Sequence, residues 1–123
     1  MIKLVYCVRK RADVSDEEFH RYWLEEHGPL VRRFADVMGA RKYIQSHTIE
    51  PELNRGLEEG RGLSKAYDGI TEVWWDSAET MGKMLSTPEG KQANEALKED
   101  EATFIDLSQS RVFMTEEHVI FDL

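Results

Sequence analysis

The chain has 123 residues, 33% of them charged, and a formal net charge of -8 at pH 7. That length suits one domain around one core, residues 1–123, and that acidity argues against a nucleic acid partner, whose phosphates need a basic face. The lone cysteine, Cys7, excludes an intrachain disulfide and a cysteine-rich metal site; no run is long enough to span a bilayer and the start lacks a signal-type apolar stretch, so the expectation is a cytoplasmic protein without a membrane partner.

Residues 2–9 are β-branched and apolar without a breaker, which predicts a strand. Both of its alternating sets are partly apolar, Ile2, Leu4, Tyr6 and Val8 against Val5 and Cys7, so both faces are expected to be covered. Ser15-Asp16-Glu17-Glu18 reads as a capping box that opens a helix to about Glu26, where Gly28-Pro29 interrupts it. Leu30, Phe34, Val37 and Met38 fall at helical spacing in a second segment closed by Gly39.

Residues 40–49 predict a second strand, with Arg41, Tyr43, Gln45 and His47 on one side. Residues 50–67 carry Pro51 and three glycines among charges and read as a long loop. Residues 69–76 are a third strand, in which Trp74 and Trp75 point to opposite faces. Asp76-Ser77-Ala78-Glu79 and Thr87-Pro88 then start helical segments. Lys98-Glu99-Asp100-Glu101 is read as a solvated charge run. Residues 110–115 and 118–122 form the last strand, broken at Glu116-Glu117.

The order strand, helix, strand, strand, helix, strand is the ferredoxin-like βαββαβ arrangement. It is an α+β fold with a four-stranded antiparallel sheet and the helices on one face. The open face carries a tryptophan and predicts a homodimer packed sheet to sheet.

Several segments together resemble one family. They are Ser15 to Leu30 with its Tyr-Trp and His-Gly-Pro steps, Gly39 to Tyr43, Gly69 to Asp76, Phe104-Ile105-Asp106, and Phe113 to His118. In this order they resemble EthD-type members of the dimeric α/β-barrel superfamily. The resemblance implies protomers that dimerise through their sheets, with a pocket between each sheet and its own helices. It also implies a small organic ligand. Enzymes of this kind are cofactor-free isomerases, lyases or dehydratases, and monooxygenases acting on aromatic, lactone or polyketide-like compounds. The alternative is a non-catalytic binding or carrier dimer of the same fold. The methylisomerase-type relatives pair a first-helix histidine with a second histidine and a later cysteine. This chain has no cysteine beyond Cys7, and His47 does not fall at the matching place.

His27 ends an aromatic stripe formed by Phe19, Tyr22 and Trp23. A helix C-terminus favours imidazolium and an apolar pocket opposes it, so the imidazole is a candidate for proton transfer near neutral pH. The alternative is a packed, capping histidine. The His27-Gly28-Pro29 step also resembles the family's His-x-Pro. Tyr43 is the second candidate, to orient a carbonyl or share a proton with His27. Phe19, Trp23, Trp75, Tyr6 and His47 are candidates for the substrate-binding wall, against the ordinary role of aromatics in a core. Glu72 is either a buried acid or a sheet-edge residue, Cys7 reads as a buried thiol, and His20 as solvent-facing. No short histidine ligand motif and no glycine-rich phosphate loop is present, so neither metal nor cofactor is expected.

Overall fold

The structure, a computed structural model, describes residues 1–123. Strands β1 (Ile2–Val8), β2 (Lys42–His47), β3 (Gly69–Trp75) and β4 (Arg111–Thr115) form one antiparallel sheet in the order β2-β3-β1-β4. Register decides which residues meet the helices. Tyr6 lies opposite Thr71 and Val112, and Tyr43 lies opposite Val73. Because side chains alternate, Leu4, Tyr6, Thr71, Val73, Trp75, Tyr43, Gln45 and His47 share one face. The helices pack on that face as the strand order predicts.

Helix α1 (Asp16–Tyr22) starts at Ser15, whose hydroxyl accepts from the Glu18 backbone N–H. Only half of the capping box forms, because the Glu18 carboxylate turns outward to pair with Arg21 at 2.6 Å. The helix does not end at Gly28-Pro29. It widens into a π-helical turn over Trp23–His27 and runs on as α2 (Gly28–Arg33). Pro29 has no N–H to offer the preceding turn, and the chain accommodates that gap with one wide turn rather than a stop. The Gly28 N–H bonds the Trp23 carbonyl, which also accepts from Gln45 Nε2 at 2.8 Å. A short α3 (Ala35–Met38) closes at Gly39, whose φ of 67° is the left-handed conformation that glycine adopts without strain.

Residues 50–67 are not a plain loop. Pro51–Arg61 form α4, started by Pro51 and closed by Gly62. Its leucines, Leu53 and Leu57, lie one turn apart but are exposed, and Gly56 and Gly60 break up its pattern. Helices α5 (Ala78–Ser86) and α6 (Pro88–Glu101) follow, capped by Ser77 and Thr87. Gly90 lets α6 cross the end of α5, since a side chain there would meet the Met84 carbonyl oxygen at 2.0 Å. The predicted continuation of β4 over 118–122 does not form. The chain leaves the sheet after Thr115, and Val119, Ile120, Phe121 and Leu123 are all exposed.

Two apolar clusters lie under the helices. One gathers Val31, Met38, Val73, Trp75, Met84 and Leu97. The other gathers Val8, Phe19, Trp23, Phe104 and Ile105. Fully burying side chains of this size stabilises a fold by about 1.5–3 kcal/mol each. The Trp23 ring presses so closely on β3 that only glycine fits at Gly69, where an added Cβ would stand 2.4 Å from it. On the outer face Trp74 is shielded within its own chain. Lys3 and Lys42 lie over its ring, and its indole N–H donates to Glu117 at 2.7 Å. Glu72, on the same face, is no buried acid but pairs with Lys3 at 2.7 Å. No helix is long and apolar enough to cross a membrane.

Candidate active site

A cavity of about 370 Å³ lies between the sheet and the helices, where the two clusters meet. Its walls are mostly apolar and include Trp23, Trp75, Val73, Met84 and Leu97. Set among them are His27 from the π-helical turn, Tyr6 from β1, Tyr43 from β2 and Glu101 from the end of α6. A small, largely apolar chamber with a few converging polar groups has the form of a small-molecule site.

His27 is 4% exposed. Its Nδ1 lies 2.6 Å from Asp100 Oδ2, so the imidazole N–H donates to that carboxylate. The other Asp100 oxygen accepts from the Tyr22 hydroxyl. With Nδ1 engaged, Nε2 has no protein partner. No buried side-chain polar atom in the chain is left unpaired, so Nε2 is reachable from the cavity that His27 lines. Burial holds the His27 pKa below the ordinary histidine range, and the hydrogen bond and charge of Asp100 only partly offset it. At neutral pH the ring is therefore a neutral base. The helix C-terminus expected to favour imidazolium is absent, because the helix continues past His27.

Glu101, one residue beyond Asp100, accepts from the Tyr6 hydroxyl at 3.0 Å. Burial, with the neighbouring Asp100 charge adding to it, raises its pKa to about 7. Burial and the Glu101 charge together push the Tyr6 phenol above its ordinary range. Asp100 and Glu101 belong to the stretch read as a solvated charge run. The structure corrects that reading, since the last turn of α6 faces the sheet and the first helix. Leu97, one turn earlier and buried, was the available signal.

Tyr43 lines the cavity, but it does not share a proton with His27. Its hydroxyl accepts from Gln45 Nε2 at 3.2 Å, and burial raises its pKa. Trp23, Trp75 and Tyr6 stand in the wall. Phe19 does not, being fully buried in the cluster around Phe104. His47 also lies outside the wall. Its Nε2 donates to Gln45 Oε1 at 2.8 Å, its Nδ1 meets His20 Nδ1 at 2.7 Å, and its ring packs on Trp23. His20 is accordingly half-buried against His47 rather than free in solvent. His118 is exposed beside Glu116. No three histidine, cysteine or carboxylate side chains converge in a metal-binding cluster. Cys7 is half-buried, and burial raises its thiol pKa, which leaves it a poor nucleophile.

The EthD domain matches residues 11–108. Among solved structures, an ethyl tert-butyl ether D family protein of Bacillus halodurans is 21% identical and superposes with a TM-score of 0.62, covering 96% of this chain and 99% of that one. A dimeric, ferredoxin-like protein of unknown function from Bacteroides fragilis is 14% identical, with a TM-score of 0.59 over 94% of this chain and 95% of the other. The cofactor-independent oxygenase SnoaB of Streptomyces nogalater, in a variant form, is 13% identical, with a TM-score of 0.53 over 98% of this chain and 97% of the other. These likenesses establish the ferredoxin-like fold. No curated protein matches the chain significantly.

Glu101 links the cavity to stability. Its pKa is higher in the folded chain than in the unfolded one, so its contribution is complete below about pH 4.5 and is lost as pH rises through about 7. Replacement by glutamine should remove roughly 2–3 kcal/mol of destabilisation at pH 8 and little at pH 4.5. Denaturant unfolding of the wild type and Glu101→Gln at the two pH values measures the difference. An equal gap at both would show that Glu101 titrates normally.

Proposed function

The chain belongs to the EthD family, and we propose that it is a cofactor-independent enzyme acting on a small aromatic, lactone or polyketide-like compound. The observation that carries this reading is the His27–Asp100 pair: a neutral imidazole, oriented by a carboxylate at Nδ1, with Nε2 free at the wall of an apolar cavity. A base held in one tautomer by a carboxylate is arranged for proton abstraction, and the dry walls keep water from competing for the proton. Asp100 acts as the positioning residue, with Tyr22 fixing its second oxygen. Tyr43 orients the polar end of the substrate from β2. Gln45 donates to its oxygen and leaves its own proton available. Trp23, Trp75 and Tyr6 wall the body of the ligand. The reaction class is isomerisation, elimination or oxygenation after a first proton transfer. Kinship in fold with a cofactor-independent oxygenase supports the oxygenation arm of that range.

The second reading is a binding or carrier protein using the same cavity. It is favoured by one observation: the hydroxyls of Tyr6 and Tyr43, the two tyrosines in the wall, both have protein partners, as a site built to hold rather than to react would have.

Once turnover is measured, His27→Ala should lower it by about 10²–10⁴-fold with the fold retained. In the wild type the acid limb of the pH profile should lie below the ordinary histidine value of 6.5. Unchanged turnover in the alanine variant would remove His27 from the reaction and favour the carrier. We also propose a homodimer formed through the outer sheet face, where Ile44, Ile70 and Phe113 are exposed. A relative of this fold is described as dimeric. Light scattering at micromolar concentration should give twice the chain mass, and a single-chain mass contradicts the dimer.

A further inference from the structure

The reading of His27 as a base leaves one half-buried acid without a task. Glu101 sits in the cavity wall with no cation paired to it, and its one protein hydrogen bond comes from Tyr6. An uncompensated carboxylate in an apolar chamber is costly, and such groups are kept where their protonation is used. The groups facing it are Tyr6 from β1, Tyr43 from β2, His27 from the π-helical turn, and Asp100 and Lys98 from its own helix. Lys98 is mostly exposed and pairs outward with Glu95 at 3.5 Å. The near surroundings therefore offer a second carboxylate and phenols, but no buried cation.

Consecutive residues on a helix point about 100° apart. Asp100 is thereby directed to the first helix, where it holds His27, and Glu101 to the sheet, where it meets Tyr6. The imidazole and the carboxyl front the same cavity from two different walls. Tyr6 occupies Oε1, and Oε2 is left without a protein partner at the cavity.

We propose that Glu101 is a second catalytic residue, a neutral carboxylic acid that hydrogen-bonds the carbonyl oxygen of an enolisable ketone or ester while His27 Nε2 removes the adjacent C–H proton. This rests on the assignment of His27 as the base. The step balances within the site. The C–H bond breaks and an N–H bond forms on His27. The C–H electron pair becomes the new C=C bond, and the former carbonyl π pair takes the Glu101 proton. The enol is neutral, and the site is left with imidazolium and carboxylate, a pair of opposite charges flanked by Asp100. Return of the proton to the same carbon exchanges it with solvent, and return to a conjugated carbon isomerises the substrate. A carboxyl whose pKa is raised to about 7 is in part protonated at neutral pH, as this role requires.

The test uses 2-tetralone, a bicyclic ketone with acidic C–H groups, in deuterated buffer with the whole protein. Binding is first verified by ligand line broadening in NMR, and deuterium incorporation is then followed above the buffer rate. The wild type should accelerate exchange, with the rate falling as pH rises past about 7. Glu101→Gln should lower the acceleration by about 10²-fold or more and abolish that alkaline limb. Tyr6→Phe should move the limb upward, because the Tyr6 hydrogen bond favours the Glu101 carboxylate. Circular dichroism checks the fold of each variant, and Tyr6→Phe carries the test if Glu101→Gln does not fold. Exchange that persists with an unmoved limb in these variants, but is lost in His27→Ala, overturns the role of Glu101 and leaves His27 as base. Exchange unchanged in His27→Ala overturns the base assignment itself. Bound 2-tetralone with no acceleration in the wild type overturns the proposal and favours the carrier.

Discussion

The hydrogen bond from His27 Nδ1 to Asp100 Oδ2 joins residues 73 positions apart and holds His27 in the cavity wall. It connects the π-helical turn of the first helix to the last turn of α6. Without Asp100 the imidazole would be buried with no fixed tautomer, and without His27 a carboxylate would lack one of its two donors. The site is therefore a consequence of how two helices meet, and each helix is placed by the sheet. Trp23 seats the π-helical turn against Gly69 of β3, and Gly90 sets the approach of α6 to α5. Both contacts depend on the absence of a side chain.

The electrostatics follow from that placement. The chain is acidic overall, yet two adjacent carboxylates serve this site, Glu101 in the cavity wall and Asp100 on His27. They are adjacent in sequence and their environments differ. Asp100 receives donors from Tyr22 and His27, whereas Glu101 has only Tyr6 and a mostly apolar wall. Neighbouring carboxyl groups with unlike surroundings can divide acid and base roles between them, and in the proposed reaction the base role passes through the imidazole that Asp100 holds.

Much of the architecture was legible in the sequence. Breaker-free, β-branched and aromatic runs at 2–9 and 69–76 mark the two central strands to within one residue, and Ser15, Ser77 and Thr87 mark helix starts that the structure retains. The side of β2 that carries Tyr43 and Gln45 was identified from alternation alone. His27, Tyr43, Trp23, Trp75 and Tyr6 were nominated from periodicity together with the family resemblance, which implied a pocket between the sheet and the helices; the same reasoning also nominated Phe19 and His47, which lie outside the wall. Four features were not legible, for particular reasons. Gly28-Pro29 resembles a helix stop, and only the Trp23 carbonyl's two partners reveal a wide turn. Two glycines hide α4. The segment 118–122 has strand-like residues but pairs with no strand. Asp100 and Glu101 look like solvated charge, because four charged residues in a row outweigh the one local signal, Leu97 a turn earlier on the same helix face.

The proposed chemistry depends above all on His27 being a neutral base whose proton sits on Nδ1 and whose Nε2 is open to the cavity. Long-range ¹H–¹⁵N NMR of the His27 ring at pH 7 measures this directly. The expected result is a protonated Nδ1 and an unprotonated, pyridine-like Nε2, persisting to pH values below 6.5. A ring protonated at Nε2, or doubly protonated at pH 7, would contradict it.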